Sequence, residues 1–203
     1  MLFYDSGNPA PNPRRVRIFA AEKGIELPSK DVSIIQREQK SDEYLKINPR
    51  GQTPALETDD GDVITESVAI CRYLEALHSD PPMFGTTPLE IAHVDQWCRR
   101  VEMILMTPIG AVWVHTHPFT AKIPGRMPEY GEAARPRVEE AFRFFDASLE
   151  GREFLATDSY TMADILLLTT MDFASFVGCG APEDCAALHA WHQHVSARPS
   201  ASA

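Results

Sequence analysis

Four residues in one short stretch carry most of the chemistry that this sequence offers. They are Thr53, Pro54, Glu66 and Ser67. A turn at Asn48-Pro49-Arg50-Gly51 leads into an apolar run from Thr53 to Leu56, and Asp59-Asp60-Gly61 then reverses the chain into Val63-Ile64-Thr65. That is the pattern of a hairpin. Pro54 cannot donate to a strand ladder, so it belongs on an edge, at a strand start or at a bulge. An edge would leave the backbone of Thr53 open to an extended peptide. Ser67 reads as the N-cap of a helix starting at Val68. The first turn of that helix offers free N–H groups and a positive dipole end to a carboxylate. Glu66 beside it can hold an ammonium. An amide edge, a carboxylate and an ammonium are the inventory of a γ-glutamyl peptide.

The stretch resembles the glutathione-binding half of the glutathione transferase superfamily. In that family a cis-proline ends a strand, and the residue before it pairs with the cysteinyl backbone of glutathione. An acidic residue followed by serine then holds the γ-glutamyl end. The resemblance places Thr53, Pro54, Glu66 and Ser67 in those roles and Gln52 at the glycine end. An exposed strand residue is the other reading of Gln52, and a simple cap the other reading of Ser67. Gln39 and Lys40 read as a solvated loop, and Arg72 as a surface or interface cation.

The family lowers the pKa of the bound thiol, which needs a donor or a positive potential near sulfur. Here the first loop departs from the common patterns. Aligned on Arg15-Val16-Arg17-Ile18, the usual serine is Ala10, and the loop has no cysteine. The position that matches is Asn12, which resembles the asparagine that nu-like and related fungal-type members place near the thiol, and the chain reads as a bacterial member of the family. Its amide can donate to sulfur. It can equally cap a helix starting at Arg14. Ser6 ranks second as a donor, and Tyr4, inside the first strand, reads as structural. The resemblance implies glutathione as co-substrate, a small hydrophobic electrophile, no metal and a cytoplasmic homodimer. Met103, Met106, Trp113, His115 and Phe119 are candidates for an electrophile wall between the domains; each also reads as ordinary core, as Met and aromatic residues at helical spacing usually do. Glutathione-dependent disulfide or peroxide reduction is the alternative activity, and isomerisation or ether cleavage would use the same thiolate. A non-catalytic binding protein on the same fold is the third reading.

Composition narrows the field. The chain has 203 residues, 44% hydrophobic and 24% charged, with a net charge of −10. That charge argues against nucleic acid or an anionic membrane as a partner. No apolar run is long enough to span a bilayer, and the first residues do not read as a signal peptide. The cysteines at 71, 98, 179 and 185 form no Cys-x-x-Cys pair and no zinc pattern. Cys71 and Cys98 fall in helical patterns as small buried apolar groups.

The elements that must position these residues read in order. Leu2 to Tyr4 is a strand. Ser6 to Pro13 is a proline-rich loop, and Arg14 to Lys23 a helix with Val16, Phe19 and Ala20 inward and Gly24 closing it. Asp31 to Ile35 is a strand and Ser41 to Ile47 a short helix. The hairpin follows, then a helix from Val68 to His78 with Ile70, Leu74 and Leu77 in its stripe. This order, βαβαββα, makes residues 1–79 a thioredoxin-like domain. Residues 80–88 read as a linker, and 89–203 as an all-helical domain. There Leu89 to Val114 is a helix kinked near Pro108, Thr116 to Tyr130 a loop, and Glu132 to Leu149 a helix. Thr161 and Asp164 form an N-terminal capping box with a Tyr160–Ile165 staple. Its role in the family is structural, so Asp164 is given no catalytic part. Pro182 to Ala190 and Trp191 to Arg198 read as two short helices, and the last five residues as a mobile end.

Overall fold

The computed structural model describes residues 1–7 and 9–203; Asn8, in the loop expected from Ser6 to Pro13, lies outside them. The chain divides into two units, Met1–Met83 with Pro199–Ala203, and Phe84–Arg198.

In the first unit the elements are β1 Leu2–Asp5, α1 Pro11–Glu22, β2 Ser29–Asp31, α2 Asp42–Leu45, β3 Ala55–Glu57, β4 Val63–Thr65 and α3 Ser67–Leu77. The sheet order is β2-β1-β3-β4. β1 and β2 are parallel and joined through α1, the crossover that a parallel pair needs. The other two pairs are antiparallel. This is the expected thioredoxin-like arrangement. Phe3 and Tyr4 are neighbours on β1 and point to opposite faces. Tyr4 packs with Val32, Tyr44 and Ala55, edge-on to the Tyr44 ring at 5.9 Å. Its hydroxyl donates to Glu57 Oε2 at 2.8 Å. Burial and that carboxylate raise its pKa, so Tyr4 is structural, as the sequence suggests.

Several details differ from expectation. α1 starts at Pro11, not Arg14. Pro11 and Pro13 fall in its first turn, where N–H groups have no intrahelical acceptor, so the missing donors cost nothing. Its other end closes as expected: Gly24 takes φ 63°, and Ile25 N–H reaches the Ala20 carbonyl at 2.9 Å. β2 ends at Asp31 because its partner β1 ends at Asp5; Ile35, expected in the strand, is 82% exposed. Leu77, expected inward, is 51% exposed at the last turn of α3. The end of the chain is ordered rather than mobile. Pro199–Ser202 forms a 3-10 turn, Arg14 Nη2 donates to the Ala201 carbonyl at 2.9 Å, and the Ser200 hydroxyl bonds Glu22. These residues therefore join the first unit, not the helical domain expected over 89–203.

In the second unit α4 Pro88–Arg100 passes through a π-helical turn, Val101–Met106, into α5 Thr107–Thr116. The irregularity expected at Pro108 thus lies just upstream of it. Pro108 has no N–H to give the preceding turn, and the wider turn re-satisfies the ladder: Thr107 gives Glu102 O both its N–H and its hydroxyl, the latter at 3.0 Å. α6 runs Pro128–Leu149, again opened early by proline at its start, with Pro136 well inside it. α7 is Met162–Val177, and α8 is one helix, Ala186–Ser196, where two were expected. No described helix is long and apolar enough to cross a membrane.

Asp164 holds this unit together from a fully buried position. Its Oδ1 accepts from Leu155 N–H at 2.8 Å and Trp191 Nε1 at 3.2 Å. Its Oδ2 accepts from the Thr161 N–H at 2.9 Å and the Thr161 hydroxyl at 3.0 Å. Burial raises its pKa against these four donors. The role is structural, as expected for the capping box. Asp164→Ala would strand three buried N–H donors, so we expect a loss of about 3 kcal/mol or more. Urea unfolding followed by circular dichroism measures it, and a loss below about 1 kcal/mol would contradict the assignment.

Candidate functional site

The loop from Asn48 to Pro54 is built rigidly. Buried Asn48 donates from Nδ2 to the Gln52 carbonyl at 2.7 Å and accepts the Arg50 N–H at 3.1 Å. Tyr44 donates to the same Gln52 carbonyl at 2.8 Å. Gly51 sits at φ 57°, and a Cβ there would lie 2.6 Å from Gln39 O, so no other residue fits. This hardware delivers Thr53, whose bond to Pro54 is cis. Pro54 is not on an edge: β3 is an inner strand, and Pro54 stands just before its start. The β1–β3 register stops at Tyr4 and Ala55, so Thr53 lies beyond the ladder.

Ser6 is buried beside Thr53. Its hydroxyl lies 2.9 Å from the Val32 carbonyl and 2.8 Å from Thr53 Oγ1. A carbonyl only accepts, so the single Ser6 proton goes there and Thr53 supplies the proton of the second bond. This geometry has Ser6 tie Thr53 to the end of β1, with its proton engaged by the Val32 carbonyl.

At the end of β4 the chain turns into α3 through Glu66, which takes φ 67° and ψ 117°. A glutamate at positive φ costs about 1–3 kcal/mol and persists only where the surroundings enforce it. Glu66 is the N-cap, and its carbonyl accepts Ile70 N–H at 3.0 Å. Ser67 is therefore the first helical residue rather than the cap that was expected, and its buried hydroxyl caps nothing. The first-turn N–H groups beside it lack intrahelical acceptors.

Asn12 lies in the second position of α1, not at a cap; the N-cap is Ala10. Its Oδ1 accepts from Arg15 Nη1 at 2.5 Å. The same nitrogen is 3.4 Å from Ser67 Oγ, and Arg15 is only 3% exposed. Arg15 was read from sequence only as an alignment anchor. The available signal was an arginine three residues after Asn12, on one helix face, among inward apolar neighbours. Gln52 is exposed, with Oε1 accepting from Arg50 Nε at 3.1 Å. A cavity of about 320 Å³, lined by Tyr4, Lys30, Val32, Glu38 and Tyr44, includes none of the candidate site residues.

The residues proposed for the electrophile wall do not share one set of neighbours. Trp113 packs among His117, Phe119, Phe173 and Phe176, at 4.5 to 5.7 Å between ring centres. His115, two positions on, accepts Met127 N–H at 2.9 Å and meets the Tyr130 ring edge-on. Met103 is 70% exposed on the π-helical turn, whereas Met106 is half-buried. A core role for Met103 is thereby removed.

The strain at Glu66 gives a direct test. Glycine adopts positive φ freely, so Glu66→Gly should raise stability by about 1 kcal/mol. Urea unfolding checks this, and an unchanged or lower stability would show that the backbone there carries no strain.

Comparison with known proteins fits this architecture. Residues 10–77 match the family model for the N-terminal domain of glutathione S-transferase, and residues 111–199 that for its C-terminal domain. Glutathione S-transferase 2 of Saccharomyces cerevisiae is 35% identical over 98% of this chain and 87% of its own. The crystal structure of Gtt2 from Saccharomyces cerevisiae aligns with a TM-score of 0.93 at 33% identity, covering 100% of this chain and 99% of that one. A glutathione S-transferase domain-containing protein of Marinobacter aquaeolei VT8 aligns with the same score at 32% identity, over 98% of this chain and 99% of that one. Two family models spanning most of the sequence, and a relative of this identity along nearly its full length, make this chain a member of the glutathione transferase superfamily.

Proposed function

We propose that this chain is a glutathione transferase of the asparagine type, nu-like and bacterial in kind, which ionises the glutathione thiol for attack on a small hydrophobic electrophile. The observation that carries the reading is the convergence of Thr53, strained Glu66, uncapped Ser67 and Asn12 in one unit. In this reading the Thr53 backbone pairs with the cysteinyl amide of glutathione. Ser67 and the first turn of α3 hold the α-carboxylate, Glu66 the ammonium, and Gln52 the glycine end. Asn12 Nδ2 donates to sulfur, helped by the positive end of α1. The thiol loses its proton to solvent. The thiolate lone pair then forms the carbon–sulfur bond as the electrophile's leaving group departs with its electrons. Met106, Trp113 and His115, with Met103, are the proposed electrophile wall.

We also propose a cytoplasmic homodimer. Free thiols at all four cysteines suit a reducing compartment. Leu89, Ile91 and Ile104 expose apolar surface on α4 and the π-helical turn, which suits a second copy. No nucleic acid, membrane or metal enters the mechanism.

Titrating the ultraviolet absorbance of bound thiolate tests the proposal. The bound thiol should ionise at least about one unit below its solution value near 8.5; an unshifted value would overturn thiolate activation. Asn12→Ala should raise the bound value by about one unit and lower kcat/KM about tenfold; unchanged kinetics would remove Asn12 from the mechanism. Ser67→Ala should weaken glutathione binding about tenfold or more while sparing the thiol pKa, since a hydrogen bond to a charged group contributes about 1.5–3 kcal/mol. Calorimetry reads that affinity. An asparagine site without a neighbouring cysteine also suits disulfide or peroxide reduction, and comparing turnover of an aryl halide with that of a mixed disulfide separates the two activities.

A further inference from the structure

Buried Arg15 stands between Asn12 and Ser67, with one nitrogen against both side chains. We infer that Arg15 is a positioning residue, whose buried guanidinium sets the donor polarity of both Asn12 and Ser67 toward an anionic ligand. This rests on the glutathione reading above.

The chemistry follows from what a guanidinium can do. It has five donors and no acceptor. Whatever oxygen faces it must accept, and the remaining polar atoms of that group turn elsewhere. With Asn12 Oδ1 at 2.5 Å from Nη1, a flipped amide would set N–H against N–H. The amide is therefore locked with Nδ2 directed away from Arg15, as a donor. A charge-assisted bond of this kind also polarises the amide and strengthens that donor. At the other end, Ser67 Oγ lies 3.4 Å from the same nitrogen. Its oxygen faces a donor, so its proton is free for another acceptor, and among the described residues no bond donated by this hydroxyl occurs. Without the guanidinium, both groups could present an oxygen to the ligand instead.

Burying a charge costs several kcal/mol unless it is well bonded. An apolar residue at position 15 would match the inward neighbours Val16, Ile18 and Phe19 without that cost. Arg14 donates to the Ala201 carbonyl, and Arg17 pairs with Asp5 at 2.6 Å. Glu66, exposed at the head of α3, is the acidic group nearest in sequence to Ser67. Arg15 thus joins the proposed thiol end of the site, at Asn12, to its γ-glutamyl end, at Ser67.

The test compares wild type, Arg15→Gln and Arg15→Lys by three readouts: the pKa of the bound glutathione thiol, kcat against KM, and urea stability. A wild-type thiol that ionises no lower than in solution would overturn the functional reading itself, whatever the variants do. With the wild-type thiol shifted, Arg15→Gln should raise the bound pKa by about one unit and lower kcat about tenfold, with a several-fold rise in KM for glutathione. Arg15→Gln that loses stability but keeps the wild-type thiol pKa and kcat would overturn the inference and leave Arg15 a packing residue. Arg15→Lys keeps the charge and a donor. It decides the matter where Arg15→Gln does not fold. A bound pKa within about half a unit of wild type supports the inference, and a return to the solution value overturns it.

Discussion

The antiparallel register of β1, β3 and β4 is the constraint on which the site depends. Ala55 faces Tyr4 on one side and Thr65 on the other. Three chain ends therefore meet at one end of the sheet: the exit of β1 toward α1, the entry of β3 from Pro54, and the exit of β4 into α3. Each end carries one candidate group, namely Asn12, Thr53 and Glu66 with Ser67. A slip of one residue in either pairing would turn the buried side chains of β3 outward and separate these groups. The bond network of Ser6, Val32 and Thr53 fastens the junction where β1 and β3 diverge.

Local rules are broken at that end of the sheet in two places. Glu66 takes a backbone conformation that suits glycine. Arg15 is a cation buried on an apolar helix face. Each breaks a local preference, and such conflicts gather at functional sites. Asp164 makes the contrast. It is as deeply buried as any residue of the chain, yet both of its oxygens are fully satisfied by donors from three segments. A buried acid of that kind is mechanical, and its surroundings say so.

How much could be read beforehand follows from range. The strand and helix order of the first unit rested on local signals: the Asp-Asp-Gly turn, the glycine after α1 and the apolar stripe of α3. The cis bond at Pro54 came from resemblance, not from any property of the dipeptide. Helices start earlier than their apolar patterns suggest, at Pro11 and Pro128, because proline, a breaker inside a helix, is tolerated in its first turn. Serine favours the cap position, but β4 ends at Thr65 as expected and α3 begins one residue early, at Ser67, which makes Glu66 the cap. Arg15 could not be found from its own spacing alone. Its importance lies in a contact between α1 and α3 across fifty-two positions, which only the folded sheet creates.

On the proposed reading, an amide donor in place of the family's usual hydroxyl changes what the site can do. A serine hydroxyl can donate to a thiolate, but it can equally turn to accept from a thiol, and then it favours the neutral form. The Asn12 amide, with its oxygen fixed on Arg15, has only donors left to offer. It favours the anion without reversal. Nor can it take a proton, because an amide is no base near neutral pH. Activation by such a group is therefore electrostatic, with the proton passing to solvent. On that reading, the pH at which activity appears should follow the ionisation of the bound thiol itself, with Arg15 setting where that lies.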